Sequence, residues 1–156
     1  LYPSEDLEVS SFPFLDNEQV VIASAGHWAA ARQIELGELE SERFILREAG
    51  SGSRRTIDEH LAQLGIRLEV KLTVSSNEAI RDLVASGMGL AVLSRHALPA
   101  DPATEGLCIL DVQGFPLRRP WRVAHLRSKI LSLPARAFLD ELLQANHCCL
   151  ERQASQ

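Results

Sequence analysis

The sequence predicts an α/β fold, on three observations. From Arg43 to Arg95 the apolar periodicity switches repeatedly between strand-like and helix-like patterns, the connections are short, and glycines or helix-capping residues stand at the changeovers. Strand, helix, strand, helix, strand in that order requires right-handed crossovers, so the three strands are expected to lie parallel in one sheet.

Each element has its own warrant. Leu1 to Asn17 carries Pro3 and Pro13 and no sustained periodicity, which predicts extended chain or loop. Gln19-Val20-Val21-Ile22-Ala23-Ser24 is apolar without alternation, the mark of a strand covered on both faces, and Gly26-His27 ends it. Between Trp28 and Glu42 only a short helical turn around Leu36 to Leu39 is expected. Arg43 to Arg47 reads as a strand broken by Gly50-Ser51-Gly52. From Ser53 to Leu64, Ile57, Leu61 and Leu64 recur at helical spacing, and Gly65 stands where a helix C-cap favours positive φ. Arg67 to Val74 alternates strictly and predicts a half-buried strand with Leu68, Val70, Leu72 and Val74 on its inner face. Ser75-x-x-Glu78 has capping-box spacing, Ala79, Ile80, Leu83 and Val84 form the next stripe, and Gly87 closes that helix. Leu90 to Leu93 is the third strand. Leu107 to Leu110 and Trp121 to Leu126 read as further strands, separated by a turn at Gly114 and Pro116. Ser132 and Pro134 start a terminal helix with Phe138, Leu139, Leu142 and Leu143 on its apolar face, and the tail from Glu151 is expected to fray.

Composition narrows the function. A chain of 156 residues is enough for one domain or two small lobes, and at this size roughly 68–70% of the unfolded surface is buried. Sixteen Lys plus Arg against twenty-one Asp plus Glu give a net charge of −5, which argues against a surface built to grip nucleic acid. Cys108, Cys148 and Cys149 show neither CxxC spacing nor a disulfide framework, and a reducing cytosol fits them. No apolar run reaches membrane-spanning length, so no membrane partner is expected. The N-terminus lacks Met and a secretion signal, and reads as cut from a longer protein. His27, His60, His96, His125 and His147 lack ligand spacing, no GxSxG surrounds a serine, and GxxxxGK is absent, so no metal, catalytic group or nucleotide loop is predicted.

In an open parallel sheet, small ligands sit beyond the carboxyl ends of the strands, where helix N-termini present unpaired N–H groups. Three loops are expected to converge there: Arg47 to Arg55, Val74 to Glu78, and Leu93 to His96. The first places Gly50, Ser51, Gly52 and Ser53 before Arg54 and Arg55, two cations at the positive end of a helix dipole, a conflict that a bound anion would remove. The alternative is that Gly50 and Gly52 only make the turn, a serine caps the helix and both arginines are solvated. Ser75, Ser76 and Asn77 offer a second donor and acceptor set, one of which ordinary N-capping explains. Gly87-Met88-Gly89 lies between helix and strand, the reverse of a dinucleotide fingerprint, and reads as a C-cap with tight packing.

The run Phe44 to Arg54, then Ser76-Asn77-Glu78-Ala79-Ile80, then Val84 to Ser94, resembles the effector-binding region of LysR-type transcriptional regulators. The likeness extends over residues 5 to 145, and the Arg-Glu-x-Gly-Ser-Gly-Ser-Arg loop is most similar to regulators of carbon-fixation and sulfur-assimilation operons. The resemblance implies a periplasmic-binding-protein-like (type II) fold of two α/β lobes with a small effector between them. It implies homodimers or tetramers and a winged helix-turn-helix that reads DNA. Gly50 to Arg54 and Ser75 to Asn77 would form the second lobe's wall of the cleft, with Val20 to Ser24 and Trp121 to Leu126 as crossovers. The chain departs from that pattern in lacking the winged helix and the opening βαβαβ portion of the first lobe. The implied division is residues 1–42 as remnant of the first lobe with a crossover strand, 43–117 as the complete second lobe, 118–150 as return strand and C-terminal helix, and 151–156 as tail. Val20, Val21, Ile22, Phe138, Leu139 and Leu142 would then lack their usual partners, and self-association or re-docking of the terminal helix is expected to cover them. The function implied is a cytoplasmic, non-enzymatic sensor of a small anionic metabolite, without cofactor, that touches DNA only through a domain outside this chain. The alternative is a solute-binding protein of a transport system on the same fold.

Overall fold

The computed structural model describes residues 8–153, with side chains as far as residue 144. In chain order it contains β1 (Val9–Leu15), β2 (Glu18–Ser24), β3 (Arg43–Leu46), α1 (Gly52–Leu64), β4 (Glu69–Thr73), α2 (Asn77–Ala85), β5 (Ala91–Ser94), β6 (Leu107–Ile109), β7 (Leu117–Arg118), β8 (Trp121–Leu126) and α3 (Leu133–Gln153), with single helical turns at Trp28–Ala31 and Leu36–Leu39. The contacts divide it into two compact units. One is Asn17–Arg119, and the other consists of the described residues before Asn17 and after Arg119.

In the first unit β3 and β4 are parallel, with Arg43 opposite Glu69 and Leu46 opposite Thr73. A parallel bridge between Phe44 and Leu90 joins β3 to the start of β5, through Ile45 N–H to Leu90 O and Leu90 N–H to Arg43 O, both 2.8 Å. The expected parallel trio is present, and the sheet does not stop at it. Strand β2 runs antiparallel to β5 on one edge, with Gln19 opposite Ser94 and Ile22 opposite Ala91, and antiparallel to β6 and β7 on the other. The sheet is therefore mixed. Val20, Val21 and Ile22, expected to lack partners, are buried inside it, because alternate residues of β2 pack on opposite faces. Val21 and Ala23 join Ile57 and Leu61 of α1, whereas Val20 and Ile22 join Ile80 and Val84 of α2. Residues 17–42 thus pack with 43–119, and the contacts draw no division at the expected residue 42.

Strand β4 departs from expectation. Every one of its residues is exposed, and the register slips between Val70 and Leu72 against Phe44 and Ile45. The extra residue turns the inner face over, so Leu68 packs toward the α1 cluster and Val74 toward the α2 cluster. An edge strand that carries a bulge and a lysine, here Lys71, is poorly suited to pairing with another chain.

The helix ends follow local chemistry. Gly65 caps α1 at φ +69° and Gly87 follows α2 at φ +79°, values that residues with a Cβ rarely adopt. Gly89 has a different reason: a Cβ there would run into the carbonyl oxygen of Arg43, so the close approach of β3 and the start of β5 requires glycine. The tight-packing reading of Gly87-Met88-Gly89 holds.

In the second unit, β1 pairs antiparallel with β8, from Val9 opposite Leu126 to Leu15 opposite Trp121. Of the stretch Leu1 to Asn17, expected as extended chain or loop, Val9–Leu15 is a paired strand and residues 1–7 lie outside the described residues; the register shifts between Pro13 and Leu15. Helix α3 packs against β1. Leu139, Leu142 and Leu143 are half-buried, while Leu133 and Phe138 are exposed. The helix runs on to Gln153, past the expected fraying point. The expectations for His147, Cys148, Cys149 and the last three residues fall outside the described residues or side chains.

Gly89→Ala is expected to destabilise the chain by about 1–3 kcal/mol through forced displacement of β3, whereas Gly50→Ala, in open space without positive φ, changes stability by under roughly 0.5 kcal/mol. Urea unfolding curves of the two variants check the contrast.

Candidate functional site

The carboxyl ends of β3 and β4 lie side by side, held by Val74 N–H to Leu46 O at 3.0 Å. From β3 the chain turns through Arg47 to Ser51 into α1. Ser51 is the N-cap, its Oγ accepting from Arg54 N–H at 3.0 Å, and the first turn of bonds begins with Arg55 N–H to Ser51 O. The N–H groups of Gly52 and Ser53 have no intrahelical acceptor at this position. Gly50 and Gly52 adopt no positive φ, and a Cβ on either would meet nothing within 4 Å. The turn does not require glycine at these positions, so the reading in which they only make the turn loses its reason.

From β4 the chain passes into α2 with Ser76 as N-cap, accepting from Ala79 N–H at 3.2 Å. The expected capping box from Ser75 is therefore not formed: the cap stands one residue on, where the third helical position is Ala79. Ser76 Oγ both accepts from the helix and donates to Glu78 Oε2 at 2.7 Å, a combination that Ser75 does not provide. Ser75 is exposed.

Arg47 joins the two loops. Its Nη1 donates to Asn77 Oδ1 at 2.8 Å, while Nε and Nη2 each donate to the Glu48 carboxylate at 3.0 Å. The hydrogen bonds to Glu48 hold Arg47 above its ordinary range and Glu48 below the usual carboxylate range. Glu78 is also lowered, first by the Ser76 hydroxyl. Arg54 is already engaged: Nε donates to both oxygens of Asp58, at 2.9 and 3.0 Å, and Nη1 to Arg47 O at 3.2 Å. The expected conflict between Arg54 and the helix dipole is thus relieved within the chain by a carboxylate one turn on, and no bound anion is needed for that purpose. At the third loop, Ser94 is buried while Arg95 and His96 are exposed, and Ser94 Oγ accepts from His96 N–H at 3.2 Å and donates to Asn17 Oδ1.

The structure therefore brings Gly50 to Arg54 and Ser75 to Asn77 to one rim, as expected. It adds Arg47, Glu48 and Asn17, which the sequence reading left out. Arg47 stood in the expected loop, but nothing local indicates that its side chain spans to the next one. Among the described residues no group of His, Cys, Asp and Glu could hold a metal ion, and no helix is long and apolar enough to cross a membrane. Cys108 donates to Ser24 O at 3.3 Å, and burial pushes its thiol up.

Residues 1–146 match the LysR substrate binding domain family. The chain belongs to that family. It is similar to the HTH-type transcriptional activator CmpR of Synechocystis, at 38% identity over 90% of this chain and 46% of CmpR. It is equally similar, at 38% identity, to a RuBisCO operon transcriptional regulator of Allochromatium vinosum, over 95% of this chain and 50% of that protein. The LysR family chain thus spans about half the length of these curated relatives. Among solved structures, the regulatory domain of CcmR from Synechocystis PCC6803, in complex with 2-PG, matches with a TM-score of 0.86 and 40% identity over 93% of this chain and 70% of that one. The effector binding domain of QuiR, in complex with shikimate, matches with a TM-score of 0.82 at 21% identity over 94% and 69%, a likeness of fold. The fold is the periplasmic-binding-protein-like type II fold of the family, and the carbon-fixation regulators are its relatives, as the loop sequence implied.

Ser76→Ala is expected to cost about 1 kcal/mol of stability as a lost N-cap, and Ser75→Ala under roughly 0.5 kcal/mol; thermal unfolding of both variants checks which serine caps. The lowered Glu48 and Glu78 carboxylates contribute stability above the unfolded-state carboxylate range. That contribution is lost as pH falls through the range to the lowered folded values. The acid limb of the stability profile is expected to flatten in Glu48→Gln, which urea unfolding between neutral and acid pH measures.

Proposed function

We propose that the chain is the ligand-sensing part of a LysR-type transcriptional regulator and that it binds a small anionic metabolite at the rim. Arg47 bridging to Asn77 is the observation that carries this reading, because it makes one surface of two loops whose glycines leave room for close approach. In the proposed complex the N–H groups of Gly52 and Ser53, the Ser53 hydroxyl and Ser75 meet the ligand's oxygens, at the positive end of α1. Arg47 and Asn77 hold the two loops at a fixed spacing, with Ser51 and Ser76 fixing the helix starts and Arg54 fixing the first loop through Arg47 O. Residues 43–117 are proposed as one wall of the cleft.

The ligand acts by differential affinity, favouring one arrangement of the regulator over another. DNA is reached through a domain outside this chain, the intact protein is a homo-oligomer, and its place is the cytoplasm. A transport-type solute-binding protein is the weaker reading, since the relatives at 38% identity are transcriptional regulators.

Calorimetry with 2-PG tests the site on this chain and on an intact regulator that contains it. Ser53→Ala is expected to weaken binding by about 1–3 kcal/mol, with Asn77→Ala weakening it through loss of the loop spacing. Affinity unchanged in both variants moves the site away from the rim.

A further inference from the structure

The guanidinium of Arg47 has two edges, and the chain uses them differently. Nη1 donates to Asn77 Oδ1 at 2.8 Å and belongs to the bridge between the two loops. The other edge, Nε with Nη2, is the parallel pair of donors that fits two oxygens of a carboxylate or phosphate at once. That edge is filled by the chain itself: Glu48 Oε2 accepts from Nε and Glu48 Oε1 from Nη2, each at 3.0 Å. An oxyanion-binding edge at the rim is thus occupied by the carboxylate of the next residue.

The two partners are held unequally. The Arg47 side chain is 20% exposed and keeps its bond to Asn77 when Glu48 leaves, whereas the Glu48 side chain is 41% exposed. Apart from Arg47 and its own N–H, the Glu48 carboxylate has no partner among the described residues. The main chain around it stays fixed, since Arg47 O accepts from Arg54 Nη1 at 3.2 Å and Glu48 O from Ser51 N–H at 3.0 Å. Releasing the carboxylate is therefore a rotation about the side-chain bonds of Glu48, into solvent that it already touches, and a partly exposed ion pair costs little to open. Glu78 is different. It lies near enough for Arg47 to help lower it, but it accepts from the Ser76 hydroxyl at 2.7 Å and is not on the Nε and Nη2 edge.

We propose that Glu48 is an internal competitor for the ligand: its carboxylate stands where an oxyanion of the metabolite binds on the Nε and Nη2 edge of Arg47, and binding exchanges one for the other while the bond from Arg47 to Asn77 stays in place. The proposal deepens the reading of the rim as an anion site and rests on it. The exchange makes Glu48 a specificity-determining residue, because a ligand group gains at Arg47 only what exceeds the carboxylate it displaces. A neutral hydroxyl or amide does not match a charge-assisted pair of hydrogen bonds and is rejected, whereas a group with two anionic oxygens is accepted.

Calorimetry on this chain, with 2-PG and inorganic phosphate as separate probes, tests the exchange. Glu48→Gln keeps the side chain's size and removes its charge, and is expected to tighten the binding of both probes about fivefold. In an Arg47→Gln background Glu48→Gln gives no gain, because the contested edge is gone, and Glu78→Gln in the unaltered chain changes affinity less than about twofold. A gain of the same size from Glu78→Gln, or one that persists without Arg47, means that Glu48 acts only through its charge at a distance and overturns the exchange. Affinity unchanged or weaker in Glu48→Gln overturns it too. If 2-PG binds and Ser53→Ala weakens it, but Glu48→Gln does not tighten it, the rim reading stands and the exchange alone falls. If phosphate shows the Glu48 gain while 2-PG binds no version of the chain, the exchange stands and the metabolite reading loses its support. Binding of neither probe to any version, Glu48→Gln included, overturns both.

Discussion

The arrangement depends on β2 being paired along both edges. Its backbone donors and acceptors are satisfied by β5 on one side and by β6 and β7 on the other, which is what allows Val20, Val21 and Ile22 to be buried without orphaned peptide groups. Because β2 runs against β5, its first residues stand beside the last of β5. The rim is therefore bounded by three strand ends and one strand start, and Asn17 and Gln19 belong to it by topology rather than by any motif. Without β2, the parallel trio would present β5 as an apolar edge, and the third rim loop would lose its anchor.

Much of this was legible locally. Helices α1 and α2 were readable because apolar spacing, capping residues and terminal glycines agree on their limits, and such agreement leaves few alternatives. Convergence of the loops followed from parallel topology alone. What escaped the sequence was non-local or involved a shift of one residue. Nothing within Gln19 to Ser24 indicates which strands will flank it. The strict alternation of Arg67 to Val74 conceals a single unpaired position, and one extra residue exchanges the faces of everything after it. Pro13 argued against a strand and is tolerated in β1, which pairs with β8 alone and shifts register just after Pro13. At the site, Ser75 and Ser76 are equally good caps on paper, and the outcome turned on which hydroxyl reaches both Ala79 N–H and Glu78.

The electrostatics of the rim bear on what kind of recognition it supports. Arg47 is held by Glu48 and Arg54 by Asp58, so each guanidinium carries its own counter-charge and the rim is not a bare positive patch. Long-range attraction of an anion by net charge is correspondingly small in a chain of charge −5. What the rim offers is short-range and directional: N–H groups at the start of α1, hydroxyls on two loops, and a guanidinium spanning both. Partly exposed ion pairs contribute little to stability, so under the proposed reading an oxyanion competing with Glu48 for Arg47 would displace little stabilising energy. A carboxylate of the chain and a simple inorganic anion are nearly equivalent to Arg47 alone. They cease to be equivalent only for a ligand long enough to engage both helix starts at once, because Glu48 is confined to the first loop. Under the proposed reading, selectivity would thus be a matter of span between the loops, which the Arg47–Asn77 hydrogen bond ties together.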